Sequence, residues 1–241
     1  MRALVIALVA SCGGSTEPPP PRTVPPAIPA TAAVSPGIEL PEVGPTGLDR
    51  ADRLVADVGV SPSALTVKGR VIAALTDGEL AAGDVEGGAL GTLIPRVRDA
   101  ARTLPARIAL QVDRRVPART LVRVLGSLQA GGRDDVVILA RAGAHQMSAP
   151  LATTGPTSSD LVVSITADAL TLSSEKLADL EALTLALAES RVQRGDTTTA
   201  LTVQVDGGVP VQRVVEVIGA VRATRDGAPL YPDVGLRLGV D

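Results

Sequence analysis

The sequence predicts an α+β protein with two tandem copies of one small module, each a mixed sheet of about four to five strands with two helices on one face. Residues 111–129, QVDRRVPARTLVRVLGSLQ, recur 93 positions later as residues 204–222, QVDGGVPVQRVVEVIGAVR, and eight of nineteen positions are identical. One or two identities are expected by accident, because common residues each make up about 7% of sequences. The residues before each Asp alternate as in a half-buried strand, and those after each Val-Pro follow a helical period. The repeated unit is therefore strand, turn and helix.

The repeated helix has the clearer pattern of the two elements. Pro117 and Pro210 precede it in the two copies, at a helix start where the missing N–H of proline costs nothing. The strands before the two turns are predicted at residues 108–112 and 201–205. Aliphatic residues recur at i, i+3, i+4 and i+7 in both copies: Leu121, Val124, Leu125 and Leu128, then Val214, Val217, Ile218 and Val221.

The start of the first copy contains shorter signals. Residues 48–58 have a weak helical period and predict a short lead-in helix. A strand is predicted at Ala64–Val67, followed by two strands around a hairpin turn at Asp77-Gly78, a dipeptide typical of such turns. A closing strand is predicted at residues 136–139. A helical stripe is predicted between the hairpin and the repeated stretch: Leu90, Leu93, Ile94, Val97 and Ala101.

The second copy is predicted to follow the same order. Strands at residues 161–165 and 169–172 flank Ala167-Asp168, which is aligned with the Asp77-Gly78 turn. A final strand with one buried face is predicted at residues 234–238. A helix is predicted before the repeated stretch from three leucines that match the stripe of the first copy at a shift of 90: Leu180, Leu183 and Leu187.

The N-terminus predicts an exported lipoprotein. One arginine and eight apolar residues precede Ser11-Cys12, a run too short for a bilayer that needs about 20 helical residues but suited to an export signal. Residues 9–12, VASC, resemble a lipobox, so residues 1–11 are predicted as the signal peptide and Cys12 as the lipid attachment site. An ordinary N-terminal helix with a stray cysteine is the alternative. Cys12 is the only cysteine, so no disulfide forms within the chain.

The distribution of proline, glycine, serine and threonine predicts a tether, two domains and a linker in the rest of the chain. Ten of the 19 prolines lie in residues 13–45, which predicts a proline-rich tether over residues 12–47. The first domain is predicted at residues 48–141 and the second at 160–241. A Gly-, Pro-, Ser- and Thr-rich linker is predicted at 142–159.

Composition also excludes some partners. The chain has no Phe or Trp and one Tyr, and stacking on single-stranded bases needs aromatic rings. Its net charge is −3, and no block of arginines forms a phosphate-binding face. Nucleic acid is therefore not expected as a partner.

No motif predicts a reaction, a cofactor or a metal site. His145 is the only histidine, and it falls in the predicted linker, where a general base cannot be held in place. The glycine-rich pieces lack the order and the lysine of phosphate loops. Asp113 and Asp206 follow strands and are interpreted as turn acceptors, with a ligand role as the less favoured alternative. The protein is therefore expected not to be an enzyme and to need no cofactor.

Six turn residues carry a family resemblance: Asp77, Gly78, Asp113, Pro117, Asp206 and Pro210. An Asp-Gly hairpin, a helix, a strand ending in Asp, a Val-Pro turn, a second helix and a closing strand resemble the periplasmic domain of the ExbD/TolR biopolymer-transport family. The resemblance implies domains that pair with their own kind and contact envelope proteins or peptidoglycan. Members also carry a transmembrane helix with a proton-coupling Asp, which this chain lacks, so motor activity is not expected.

The expected function is that of a non-enzymatic, periplasm-facing lipoprotein that acts as an interaction scaffold, accessory to a TonB/Tol-type motor system. Its membrane contact is the N-terminal lipid. Gly13 after Cys12 favours the outer membrane over the inner. The two domains are expected to pack as an intramolecular pseudo-dimer. Two alternatives remain open: a peptidoglycan- or small-ligand-binding protein, and an uncharacterised envelope enzyme.

Overall fold

The computed structural model describes residues 37–44, 46–88, 91–152, 161–194 and 199–239. The predicted signal peptide, Cys12 and most of the predicted tether lie outside these residues. The helices are α1 (Pro95–Ala101), α2 (Ala118–Ala130), α3 (Leu180–Arg194) and α4 (Val211–Arg222). The strands are β1 (Asp49–Arg50), β2 (Val58–Val60), β3 (Ala64–Val67), β4 (Arg70–Thr76), β5 (Glu79–Leu80), β6 (Glu86–Gly88), β7 (Gly91–Leu93), β8 (Arg107–Val112), β9 (Asp135–Ala142), β10 (His145–Ala152), β11 (Val162–Ile165), β12 (Leu170–Leu172), β13 (Glu175–Leu177), β14 (Ala200–Val205) and β15 (Asp233–Leu238).

Two mixed sheets of eight and five strands confirm the α+β class but are larger than predicted. The first has the order β10-β9-β8-β2-β3-β4-β5, with β1 also paired to β10, and the second has the order β13-β12-β11-β14-β15. One residue pair, Ala152 with Gly235, joins β10 to β15 in parallel, so the thirteen strands belong to one continuous sheet. The strands β6 and β7 form a separate pair.

The two copies share one strand order. In the first copy, β9, β8, β2, β3 and β4 are neighbours, and in the second copy β15, β14, β11, β12 and β13 occupy the same places. In both copies the three strands nearest the repeated turn are parallel, and the next two are antiparallel. The strands and helices of the repeated stretch, β8 with α2 and β14 with α4, are confirmed where the pattern predicted them.

The copies also share a hairpin that the sequence alignment placed wrongly. Ser61 N–H donates to the carbonyl of Ala64 between β2 and β3, and Thr166 N–H donates to that of Ala169 between β11 and β12. Each hydroxyl accepts from the N–H of the same partner residue, at 2.9 Å and 3.1 Å. The turn at Ala167-Asp168 therefore corresponds to Pro62-Ser63 at a shift of 105. It does not correspond to the Asp77-Gly78 turn, which connects β4 to β5.

Two predicted helical segments are wrong. Residues 48–58 form β1, turns and the start of β2, because Val58–Val60 pairs with both β3 and β8 and is fully buried. The stripe before the repeated stretch is also shorter than predicted. Its part at Gly91–Leu93 is the strand β7, and the helix begins only at Pro95, where proline fits the first turn.

Part of the predicted linker is a sheet strand. β10 pairs with β9 over eight residues from His145–Ala142 to Ala152–Asp135, through a turn at Gly143 with φ +57°. The rest of the predicted linker, residues 153–159, lies outside the described residues.

The helices and the sheets enclose one main core, and a second, smaller core lies on the opposite side of the first sheet. Alternate residues of β8, Ile108, Leu110 and Val112, belong to the main core together with α2. The smaller core contains Ala109, Val137, Leu139, Ile38 and Leu40. Ile38 and Leu40 were predicted to lie in the tether, and the structure corrects this, because both side chains are buried on the sheet.

Candidate functional site

The repeated turns meet each other, and we call this contact the seam (residues 113–119 and 206–212). Pro117 and Pro210 form an antiparallel bridge at its centre. The first N–H groups of a helix have no partner within the helix, and neither proline has a side chain that accepts a hydrogen bond. Carbonyls of the opposite copy accept from these groups instead: Ala118 N–H to Val209 O (2.8 Å), Val211 N–H to Val116 O (2.9 Å), Arg119 N–H to Gly207 O (3.0 Å) and Gln212 N–H to Arg114 O (3.0 Å).

These four hydrogen bonds have approximate two-fold symmetry. Ala118 and Val211 are equivalent at the shift of 93, and so are their acceptors Val116 and Val209. Each copy therefore caps the helix of the other with the same two positions. This reciprocal pattern is that of an isologous interface, here within one chain.

The two turn aspartates differ in their surroundings. Asp113 is completely buried, and its carboxylate accepts from the backbone N–H of Glu39 (2.9 Å) and of Arg115 (3.0 Å) and from the Arg115 guanidinium (2.9 and 3.1 Å). Burial raises the pKa of Asp113, but hydrogen bonds from Arg115 and these N–H groups outweigh it, so the pKa lies below its ordinary value. Asp206 is exposed and accepts from the N–H of Gly208 (3.0 Å).

The Asp-Gly hairpin packs against the seam. Gly78 has φ +80°, and a Cβ on it would lie 2.8 Å from Cδ of Pro117 and 3.1 Å from Cα of Val116. Its carbonyl accepts from the buried hydroxyl of Thr120 at 2.7 Å. The structure therefore brings five of the six turn residues predicted from the sequence to the seam. The sixth, Asp77, is exposed in the same hairpin with φ +52°.

A segment that the sequence assigned to the tether ties the two copies together, and we call it the strap (residues 37–44). On the first copy, Arg114 N–H donates to Glu39 O and Arg141 N–H donates to Pro41 O, each at 2.8 Å. On the second copy, Gln212 accepts from the N–H of Glu42 at 2.9 Å and donates to its carbonyl. The sequence signal for this contact is the aliphatic pair Ile38 and Leu40, which the surrounding prolines obscure.

Arg222 connects three further elements beside the strap. From α4 its guanidinium donates to the carbonyls of Gly47 (2.7 Å), Pro232 (3.1 Å) and Pro150 in β10 (3.4 Å). Burial lowers the pKa of Arg222 despite nearby Asp49 and Asp233. Nothing in the sequence distinguishes this arginine from its neighbours.

Two open cavities lie near the strap. One of about 600 Å³ lies over β9 and β10 and includes Arg50, Arg53, Arg107 and Ser148 in its lining. Another of about 560 Å³ lies between α3, α4 and residues 43, 44 and 46, and includes Leu185 and Ala220 in its lining. The first is lined by the carboxylates of Asp49 and Asp52 as well as by these arginines, and the second is mainly apolar.

His145 lies beside the first cavity and not in a linker. It begins β10, and its Nδ1 lies 2.8 Å from Nη2 of Arg50 and 3.8 Å from the Asp52 carboxylate. A hydrogen bond from Arg50 lowers the pKa of Asp52 below its ordinary value, and a smaller effect of desolvation opposes it. All three side chains are exposed.

Within the described residues, no cluster of three or more His, Cys, Asp or Glu side chains is arranged to hold a metal ion. No helix in the same part of the chain is long and apolar enough to span a membrane. Comparisons with protein-family models, with curated proteins and with solved structures find no significant match to this chain.

Proposed function

We propose that this chain is a non-enzymatic envelope lipoprotein whose two ExbD/TolR-like modules pair as an internal pseudo-dimer and form a scaffold for protein contacts. The observation that carries the proposal is the reciprocal capping at the seam. A domain that pairs through an isologous surface keeps that surface after tandem duplication, so its copies can satisfy each other within one chain.

The motif residues on which the proposed resemblance rests contact each other. The Asp-Gly hairpin packs on the Val-Pro turn through Gly78 and Pro117, and the Val-Pro turns of the two copies form the bridge. Residues that look unrelated in the sequence therefore serve one purpose, which is to build and join the pairing surface.

The proposal places the scaffold at a membrane through a lipid on Cys12, on the periplasmic side of the outer membrane. Metabolic labelling with an alkyne fatty acid tests this part. Label is expected in the wild type and in Ser11→Ala, because a small residue before the cysteine preserves the lipobox, and no label is expected in Cys12→Ala. Label that persists in Cys12→Ala contradicts the anchor.

The scaffold role is tested by photo-crosslinking in cells. A photoreactive amino acid replaces Leu185 or Val192 on α3, whose side chains are 61% and 82% exposed, or Val71 of β4, which is 66% exposed. Exposed aliphatic side chains of this kind mark contact surfaces when they cluster. We expect the two positions on α3 to give discrete adducts with an envelope protein. Val71, which is similarly exposed but lies outside α3, is the matched comparison and is expected to give none. An absence of adducts from all three positions contradicts a scaffold.

The arginine-lined cavity favours one other role, the binding of an anionic wall component. Arg53 and Arg107 line this cavity with Ser148, Asp49 and Asp52, and Arg107 already pairs with Asp135 at 2.9 Å. Arg53 is therefore the cation that we propose for the carboxylates of peptidoglycan. Co-sedimentation with purified cell wall separates the two roles. Binding that is lost in Arg53→Glu but retained in Arg225→Glu, which lies away from this cavity, supports the wall role. No sedimentation of the wild type excludes it.

A further inference from the structure

The strap lies on the sheet as an extended peptide lies on a receptor. Ile38 and Leu40 are 8% and 5% exposed and pack on Ala109, Val137 and Leu139. Between them, the Glu39 carboxylate contacts the Arg114 guanidinium at 3.0 Å. Alternate side chains give the contact its selectivity, and backbone groups add hydrogen bonds, as in other cases of extended-peptide recognition.

This surface belongs to the first copy alone. Ala109 pairs with Val137 across β8 and β9, and the equivalent pair across β14 and β15 is Thr202 with Gly235. The position of Leu139 is occupied in the second copy by Arg237, whose guanidinium donates to Gln204 at 3.0 Å. The duplicated module therefore does not need an apolar outer face to fold. The first copy has acquired one.

The aliphatic pair of the strap, Ile38 and Leu40, is separate from the main core, whereas Val43 near the end of the strap packs against that core. The five residues of the smaller core are divided from the main core by the first sheet, and none of them belongs to both. A single bridge, between Glu42 and Arg141, is the strap's β pairing among the described residues. Release of Ile38 and Leu40 is therefore expected to leave the packing of α2 on the other face of the sheet in place.

We propose that the outer face of β8 and β9 is a binding site for an extended peptide of a partner protein, with an aliphatic, an acidic, an aliphatic and a proline residue in succession. The strap segment Ile38-Glu39-Leu40-Pro41 occupies this site in cis and competes with the partner. The inference names the kind of partner for the proposed scaffold and rests on that role.

In the wild type the strap already occupies the proposed site, so a free peptide has to compete with it for binding. A tethered segment acts at an effective concentration in the millimolar range, so a free peptide is expected to bind the wild type roughly tenfold or more weakly than a chain whose strap is released. Ile38→Asp/Leu40→Asp in the full chain is the released variant. The probe is a fluorescent peptide with the sequence of residues 37–44, GIELPEVG, and the measurement is its anisotropy.

Two controls locate the binding. A probe with aspartate in place of its Ile and Leu is expected not to bind. Leu139→Arg, which copies the residue of the second copy, is expected to abolish binding of the unchanged probe when it is added to the released variant. Equal affinity for the wild type and the released variant, or binding that survives Leu139→Arg, overturns the proposal.

A second measurement covers the case in which the released variant does not fold. The same peptide with a photoreactive residue at its Leu position is added to the wild type at millimolar concentration, and the products are mapped by mass spectrometry. Adducts are expected on β9 near Val137 and Leu139. Adducts elsewhere, or none, overturn the proposal. Because no envelope partner is present, this failure is distinct from failure of the scaffold role.

Discussion

At the scale of single residues, Asp113 and Asp206 occupy equivalent positions of the two copies but differ in burial and in hydrogen bonding. Asp113 is completely buried and accepts four hydrogen bonds, including two from a guanidinium. Asp206 kept one backbone hydrogen bond in a glycine turn. A Cβ on Gly207 would lie 3.2 Å from the Arg119 side chain, so a larger residue there has to displace that side chain by a few tenths of an ångström. The sequence predicts the turns but not this asymmetry, which depends on Glu39, 74 positions away.

Asp113→Asn is expected to lower the free energy of unfolding by about 1–3 kcal/mol, because the amide presents a donor to groups that are themselves donors. Asp206→Asn is the matched control. It is expected to lower the free energy of unfolding by less than about 1 kcal/mol, because water can replace the hydrogen bond to the exposed side chain. Urea unfolding at pH 7 measures both. Equal losses contradict the assigned difference between the two sites.

The same variant predicts a pH dependence. The pKa of Asp113 is lower in the folded chain, so its stabilisation is present above the unfolded pKa of about 3.9 and is lost as the pH falls through the folded pKa. The difference in unfolding free energy between the wild type and Asp113→Asn is therefore expected to shrink below about pH 4. A difference that stays constant from pH 7 to pH 3 contradicts a depressed pKa.

At the scale of elements, contacts with neighbouring strands determine the secondary structure of the segments that the local sequence pattern predicts wrongly. Val58–Val60 is too short for a strand signal, and it forms the centre of the first sheet because two strands flank it. β10 contains Pro150, which lowers the strand signal, yet it pairs along its whole length with β9. Long periodic elements such as α2 and α4 were predictable, because one apolar stripe specifies both the helix and its buried face.

The Asp-Gly hairpin packs closely against the seam, so replacing Gly78 by alanine is expected to destabilise the fold more than the same change in a glycine turn elsewhere. Gly78→Ala and Gly69→Ala both place a side chain at positive φ, +80° and +74°. Only at Gly78 does the Cβ meet other atoms, since a Cβ at Gly69 has none within 4 Å. We expect Gly78→Ala to be about 1–3 kcal/mol more destabilising than Gly69→Ala, as overpacking typically costs. Similar melting temperatures for the two variants contradict this contact.

The hydrogen bonds of Arg222 connect α4 to the carbonyls of Gly47, Pro150 and Pro232, and we expect them to stabilise the fold. Arg222→Ala leaves three carbonyls without this donor, and we expect a loss of about 2–3 kcal/mol in unfolding free energy. Arg225→Ala is the control, because its side chain is 89% exposed and its ion pair with Glu181 is solvated. Chemical unfolding compares the two, and a loss in Arg225→Ala as large as in Arg222→Ala argues against the bridging role.

At the scale of the whole molecule, duplication explains both the symmetry and its breaking. The seam keeps equivalent positions in contact, whereas the outer faces of the two sheets have diverged into an apolar face under the strap and a face that carries Thr202 and Arg237. The repeat in the sequence predicts two similar modules. It does not predict that their sheets join through Ala152 and Gly235, because one bridge leaves no periodic signal.

Pairing of the two copies through the seam is tested most directly by a disulfide between Pro117→Cys and Pro210→Cys in a Cys12→Ala chain. The flanking bonds make this a non-hydrogen-bonded antiparallel pair, for which Cα atoms lie ~4.5 Å apart, within disulfide reach. We predict a monomer with one internal disulfide after mild oxidation, seen by mass spectrometry as a linked pair of peptides, with free thiols in both single variants. Free thiols in the double variant, or disulfides between chains only, would contradict the pairing.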